Sequence, residues 1–163
     1  LWKGNMNLIL NDQIKITGQL KITIRDAATG RIKSVDVIEN MFVTRGKNAI
    51  AQRLSGQSVG EITYCALGTG TTAPALADTA LQTELARKLI STRSYLNKVA
   101  TFTTFFTTSE GNGTLREAAL FGTGVGQTAS ATAGTGQIFC RTNINRTKTS
   151  NDTLTLEWTL TIG

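Results

Sequence analysis

A mostly β fold, with sandwich-like antiparallel sheets and one or two short α-helices in a single domain, is what this sequence predicts, and three observations predict it. Apolar and polar residues alternate at period two in several segments, the pattern of a strand with one buried face. Threonine fills many of the polar positions, and its β-branched side chain, stiff at χ1, suits a pleated surface. Sixteen glycines collect between apolar runs while a single proline, Pro74, leaves strand ladders intact. The length, 163 residues, is that of one ordinary domain able to bury a core without metals or disulfides. A charged content of 17% argues against disorder driven by charge and against a coiled coil.

The elements follow in chain order. Residues 1–13 form an N-terminal segment, a candidate attachment arm, and 14–163 a single β-rich domain. The opening residues lack the apolar core of a secretory signal or a membrane span, because Asn11-Asp12-Gln13 cuts the apolar run short, so synthesis and assembly in the cytoplasm are expected. Met6 is a candidate alternative start beside Leu1. Leu20, Ile22 and Ile24 alternate with Lys21, Thr23 and Arg25, the turn residues Asp26 to Gly30 follow, and Arg31 to Ile38 resumes an extended pattern: a hairpin. The apolar parity changes between Ile32 and Val35, which places a bulge at Ser34.

Two short helices are expected, one capped by Thr44 with Ile50 and Leu54 on a shared face, the other capped by Asp78 with Leu81 and Leu85. Val99 to Thr107, Leu115 to Phe121 and Ile138 to Asn145 read as strands, and Phe102, Phe106, Phe121 and Phe139 are the large residues available to fill the space between sheets. Gly122 to Gln137 holds no bulky residue except Val125, so a long flexible hairpin loop is expected at 122–137. Leu154, Leu156, Trp158, Leu160 and Ile162 alternate with Thr155, Glu157, Thr159 and Thr161, the cleanest strand in the chain.

Chemistry is narrowed by what the chain carries. With no histidine, Ser-His-Asp, Cys-His and histidine-based zinc sites are excluded. Cys65 and Cys140 match no metal or dithiol spacing and read as buried free thiols. Glu110, Glu117 and Glu157 stand in separate segments without the pairing that glycoside hydrolysis needs, so surface or strand-end roles are expected. Gly68-Thr69-Gly70 and Gly122-Thr123-Gly124 lack the Lys-Ser/Thr that completes a phosphate loop. No catalytic residue, cofactor or metal is expected. The net charge of +6 raises nucleic acid, but Lys and Arg are scattered; the nearest approaches to a patch are Arg87, Lys88, Arg93 and Lys98, and then Arg141, Arg146 and Lys148, each read first as a solvated face. Arg116-Glu117 lies inside an apolar strand, where a charge is either exposed at an edge or paired between strands or subunits.

The run Ile62 to Lys88 (ITYCALGTGTTAPALADTALQTELARK), with Asn40 to Leu54 (NMFVTRGKNAIAQRL), Glu110 to Phe121 (EGNGTLREAALF) and Thr153 to Ile162 (TLTLEWTLTI), resembles small tail-fibre or baseplate-type structural proteins of tailed bacteriophages. The four segments cover most of 40–163 in the order the family shows them. The resemblance implies a non-enzymatic virion building block that forms a homo-oligomer, a trimer favoured, and docks on other virion proteins, with no small-molecule substrate, no nucleic acid and no membrane insertion. The residues assigned to assembly are Gly68, Thr69, Gly70 and Pro74 in the first turn, Arg116 and Glu117, and Gly124 and Gly126 in the long loop. A capsid decoration protein needs the same small β domain and is the first alternative. A host-receptor or polysaccharide-binding module, with Trp2, Tyr64 and Tyr95 as stacking surfaces, is the second.

Overall fold

The computed structural model describes residues 13–163. All but the last residue of the N-terminal segment, with Trp2 and Met6, therefore lies outside the described residues. Among the described residues nine strands form one antiparallel sheet in the order β4-β3-β7-β8-β2-β1-β9-β6-β5. They are β1 (Ile16–Asp26), β2 (Ile32–Phe42), β3 (Ile62–Gly68), β4 (Glu84–Leu89), β5 (Thr92–Leu96), β6 (Val99–Phe106), β7 (Gly113–Gly122), β8 (Gln137–Lys148) and β9 (Asp152–Ile162), with one helix, α1 (Thr44–Leu54), after β2.

The expected sandwich is replaced by a single curled sheet, because two stretches of chain serve both of its halves. β2 pairs with β1 along most of its length and with β8 only through Met41 and Phe42, so its end turns the corner. The second corner is the chain between β4 and β5. Ile90 donates its N–H to Thr63 O on the β3 side (2.9 Å), and the next residue, Ser91, donates to Thr103 O of β6 (2.8 Å). The sheet's two terminal strands are thus consecutive in the chain, which joins the two ends of the strand order. Thr92 also pairs with Thr103, so Ser91 and Thr92 both oppose one residue, a bulge that supplies the bend.

The curl encloses the main core. Leu20 and Ile22 of β1, Leu154, Leu156 and Trp158 of β9 and Phe106 of β6 face Cys65, Leu67, Leu115 and Leu120 of the β3–β7 half. Trp158, fully buried, donates its indole N–H to Cys65 Sγ across this space (3.3 Å), which satisfies the one polar atom its ring brings in. Burial pushes the Cys65 thiol up to about 12 and raises that of Cys140 as well, the behaviour of the inert free thiols expected.

The hairpin and the C-terminal strand stand as read, with Leu20 opposite Ile38 and Trp158 opposite Leu20. The irregularity in the second strand exists but centres one residue earlier: Ile24 faces Ser34 and Arg25 faces Ile32, so the extra residue is Lys33. In α1 the expected cap is corrected. Thr44 is the first helical residue rather than the cap; Val43 precedes it in extended backbone with no side-chain cap, and the Thr44 N–H bonds Leu76 O instead (2.9 Å). The buried face is Gly46 and Ala49, with Leu54 82% exposed. Gly46 is required there by close approach, since a Cβ would lie 2.5 Å from the Phe139 carbonyl oxygen.

The second expected helix does not form. Residues 84–89 are β4, Leu85 is exposed, and Asp78 sits in an irregular stretch between β3 and β4. No helix among the described residues is long and apolar enough to cross a membrane.

Candidate functional site

The outer face of the β3–β7–β8 half carries a second apolar cluster of Ala66, Ala119, Phe121 and Ile138, covered by Leu81 and Ala129 from the loops 69–83 and 123–136. Phe121 belongs here rather than between the sheet halves; Phe106 and Phe139 fill the main core and Phe102 lies at its margin. Small residues, Ala66 opposite Ala119 and Gly68 opposite Glu117, leave room for the covering loops to approach the sheet.

Beside this cluster lies a buried polar clasp. Glu117, with no exposed surface, points from β7 to the outer face. Its Oε1 accepts the N–H groups of Gly70 (3.0 Å) and Thr83 (2.7 Å), and Oε2 accepts that of Gln82 (2.9 Å) and Arg141 of β8 (Nη2, 2.8 Å). Arg141 continues to Asp78 (2.7 Å) and to the carbonyl and hydroxyl of Thr72 (both 3.0 Å). Asp78 accepts the Ala75 N–H (2.9 Å), and Gln82 Oε1 accepts those of Thr71 (2.8 Å) and Thr72 (2.9 Å). The carboxylate is an acceptor at both oxygens and the guanidinium a donor on three nitrogens, so one ion pair fixes both ends of the loop. Glycine is required at 68 and 70, because a Cβ at either would come within 2.5 Å of Glu117 Oε1.

A matching device holds the second loop. Arg87 of β4 is bidentate to Glu84 (2.6 and 2.8 Å), donates to Thr135 O (2.5 Å) and lies 4.1 Å over the Phe121 ring. Gly134 N–H also donates to Glu84 Oε2 (3.1 Å), the oxygen it shares with Arg87 Nη2. The loop expected to be flexible is therefore tied to β4 at Gly134 and Thr135.

Ion pairs also cluster near the β6–β7 and β8–β9 turns. Lys88 beside Glu110 (2.5 Å), with the Thr107 N–H, holds the Glu110 carboxyl down at about 2. Lys33 and Thr149 do the same for Asp152, also about 2. Lys148, almost wholly buried, donates to Thr107 O and Asn112 Oδ1 (both 2.7 Å), and burial pulls its ammonium pKa down.

These contacts relocate the residues singled out from sequence. Glu117 is neither at an edge nor at the surface: it is buried in an inter-strand pair with Arg141, a partner that sequence separation hid. Arg116, its neighbour, lies at the register shift of the β7–β8 ladder between Leu115 and Glu117, half-exposed, and bonds Asn145. Gly68 and Gly70 are buried beneath the clasp while Thr69 is exposed and Pro74 half-buried in the covering loop; Gly124 is buried and Gly126 exposed. The basic groups expected as solvated faces are mostly neutralised: Arg87 by Glu84, Lys88 by Glu110, Arg93 by Glu61, Arg141 by Glu117 and Asp78, Arg146 by Asp36, with Lys148 buried and Lys98 exposed. Tyr64 packs half-buried on the outer cluster, leaving, among the described residues, Tyr95, 85% exposed, as the stacking candidate on open surface. Among the described residues no three His, Cys, Asp or Glu side chains group as metal ligands. Comparison of the chain with protein-family models, with curated proteins and with solved structures found no match.

Proposed function

We propose that the chain is a non-enzymatic structural component of a bacteriophage virion, a tail, fibre or baseplate element that assembles in several copies and docks on other virion proteins. The observation that carries the reading is the clasp. Two long loops lie over one face of the sheet, fixed by buried charges that are engaged on loop backbone and on each other. Charge used in this way sets the shape of an outer surface in place, which suits a part whose work is complementarity to a neighbour. The likeness of the segments at 40–54, 62–88, 110–121 and 153–162 to phage tail proteins supplies the viral half of the proposal.

A cryo-electron-microscopy map of purified particles, with the chain placed in density, tests it. Density at the tail, collar or baseplate supports the proposal. A lattice over the capsid makes the protein a decoration protein, and absence from the particle refutes a virion role.

A further inference from the structure

β5 is the most exposed strand of the sheet: all five of its residues, Thr92 to Leu96, are open to solvent, Tyr95 at 85% and Leu96 at 74%. Among the described residues it pairs on one side only, with β6, through a two-residue turn in which Asn97 takes a positive φ of 54°. In an antiparallel ladder closed by such a turn, Leu96, Ser94 and Thr92 direct their N–H and C=O groups to β6, opposite Val99, Thr101 and Thr103. Arg93 and Tyr95 direct theirs outward, and among the described residues neither finds a backbone hydrogen-bond partner on that side. β3, the neighbour of β4, begins at Ile62, whose carbonyl the Arg93 side chain reaches (3.4 Å), and its ladder with β4 extends only to Leu89, short of β5.

We propose that the free edge of β5 pairs antiparallel with β5 of a second copy of this chain about a two-fold axis at Ser94. The edge is complementary to itself in this register. The N–H and C=O of Arg93 meet those of Tyr95 of the second copy, and the symmetry repeats the exchange, giving four hydrogen bonds. The side chains agree: a guanidinium lies beside a phenol ring, Thr92 lies opposite Leu96, and serine lies opposite serine. The one charge on the strand, Arg93, is paired with Glu61 of its own chain, which limits repulsion between two chains of net charge +6. Proline, a bulge within the strand or an inward charge, the usual devices that blunt an edge, are absent from Arg93 to Leu96. The inference rests on the assembly half of the proposed function and not on its viral half, and a two-fold contact differs from the three-fold expected from the sequence.

Sedimentation of the full chain over a range of concentrations, with the variant Tyr95→Pro, tests it. The proline removes an outward N–H and leaves the β6 ladder intact, so the variant keeps the wild-type circular dichroism while its dimer dissociation constant rises at least about tenfold through two lost hydrogen bonds. Ser94→Cys supplies a second measurement that needs no loss of folding. The two Ser94 Cα atoms would lie about 4.5 Å apart as a non-hydrogen-bonded pair, within disulfide range, so the variant forms a covalent dimer on mild oxidation and Ser58→Cys does not. A wild-type chain that stays monomeric up to about 1 mM, or an oligomer of any order that Tyr95→Pro leaves unchanged and Ser94→Cys fails to cross-link, overturns the proposal. Neither result bears on where the protein sits in a particle, which the cryo-electron-microscopy map decides.

Discussion

Replacing Glu117 with glutamine keeps the shape of the side chain and removes its charge. One oxygen becomes an NH2 group, and in either orientation that group faces donors: the N–H groups of Gly70 and Thr83 at one site, or that of Gln82 with the Arg141 guanidinium at the other. Each buried N–H left without an acceptor costs about 1–3 kcal/mol. Arg141, 2% exposed, also loses its fully buried counter-charge and keeps only Asp78. Breaking a buried pair costs about 3–5 kcal/mol, and the surviving Asp78 contact places the substitution toward the lower end. For a chain of this size that is a fall of about 10 °C in Tm. Thermal and urea unfolding measure the loss, and amide hydrogen exchange locates it: Gly70, Gln82 and Thr83 lose protection before the strands do. The double variant Glu117→Gln, Arg141→Gln is expected to be less destabilised than the sum of the singles by at least about 1 kcal/mol. A loss under about 1 kcal/mol with unchanged exchange at those three amides would refute the clasp as the device that holds the loop.

Three other substitutions or conditions probe separate parts of the structure. Gly46→Ala gains about 1 kcal/mol of helix propensity. It loses more by driving a methyl into the Phe139 backbone, so a net destabilisation of about 1–3 kcal/mol is expected in urea unfolding, and a stabilised variant would show that α1 does not sit against β8 as described. Glu110 and Asp152 have folded-state values of about 2, below their unfolded ones, so the stability they contribute is complete above the ordinary carboxylate range near pH 4 and is lost as pH falls toward 2. Unfolding measured from pH 6 to 2 shows that loss, and Asp152→Asn makes the profile shallower. Cys65 and Cys140 react with a thiol reagent only at the rate of global unfolding, because both are fully buried and their thiols are held protonated; rapid labelling of the native protein contradicts this.

The strands legible in the sequence are those whose neighbours agree with their period. Leu20, Ile22 and Ile24, and the Leu154 to Leu160 series, alternate because one face meets the core and the other meets water. β7 and β8 were legible as strands but not as to which face is covered: both faces are buried, and the polar residues among them, Glu117 and Arg141, are inside. The helix expected after Asp78 failed for a reason that lies far away in the chain. The N–H groups of Gln82 and Thr83, which a helix would turn to its own carbonyls, are taken by the Glu117 carboxylate, and the residue expected to cap that helix is taken by Arg141. Local propensity loses to a buried ion pair whose members are not adjacent in sequence. The one local sign was the conjunction of Gly68 and Gly70 with a charged residue inside an apolar strand, which marks a carboxylate approached closely by backbone. The corner of the sheet at Ile90 and Ser91 had no sequence signature, since it depends on which strand lies on either side.

The position of β9 bears on how the molecule is made. It comes last of the described strands and yet is an interior one, with β1 on one side, where Ile16 meets Ile162, and β6 on the other. During synthesis the β1–β2 hairpin and β6 emerge long before it, each with a bare edge that only β9 completes. Pairings this distant in sequence close slowly, on the millisecond-to-second scale of all-β domains. While a ribosome is still adding the residues before 152, the nascent chain exposes the edges of β1 and β6, and it is there that a holding chaperone would bind or a second nascent chain would pair wrongly.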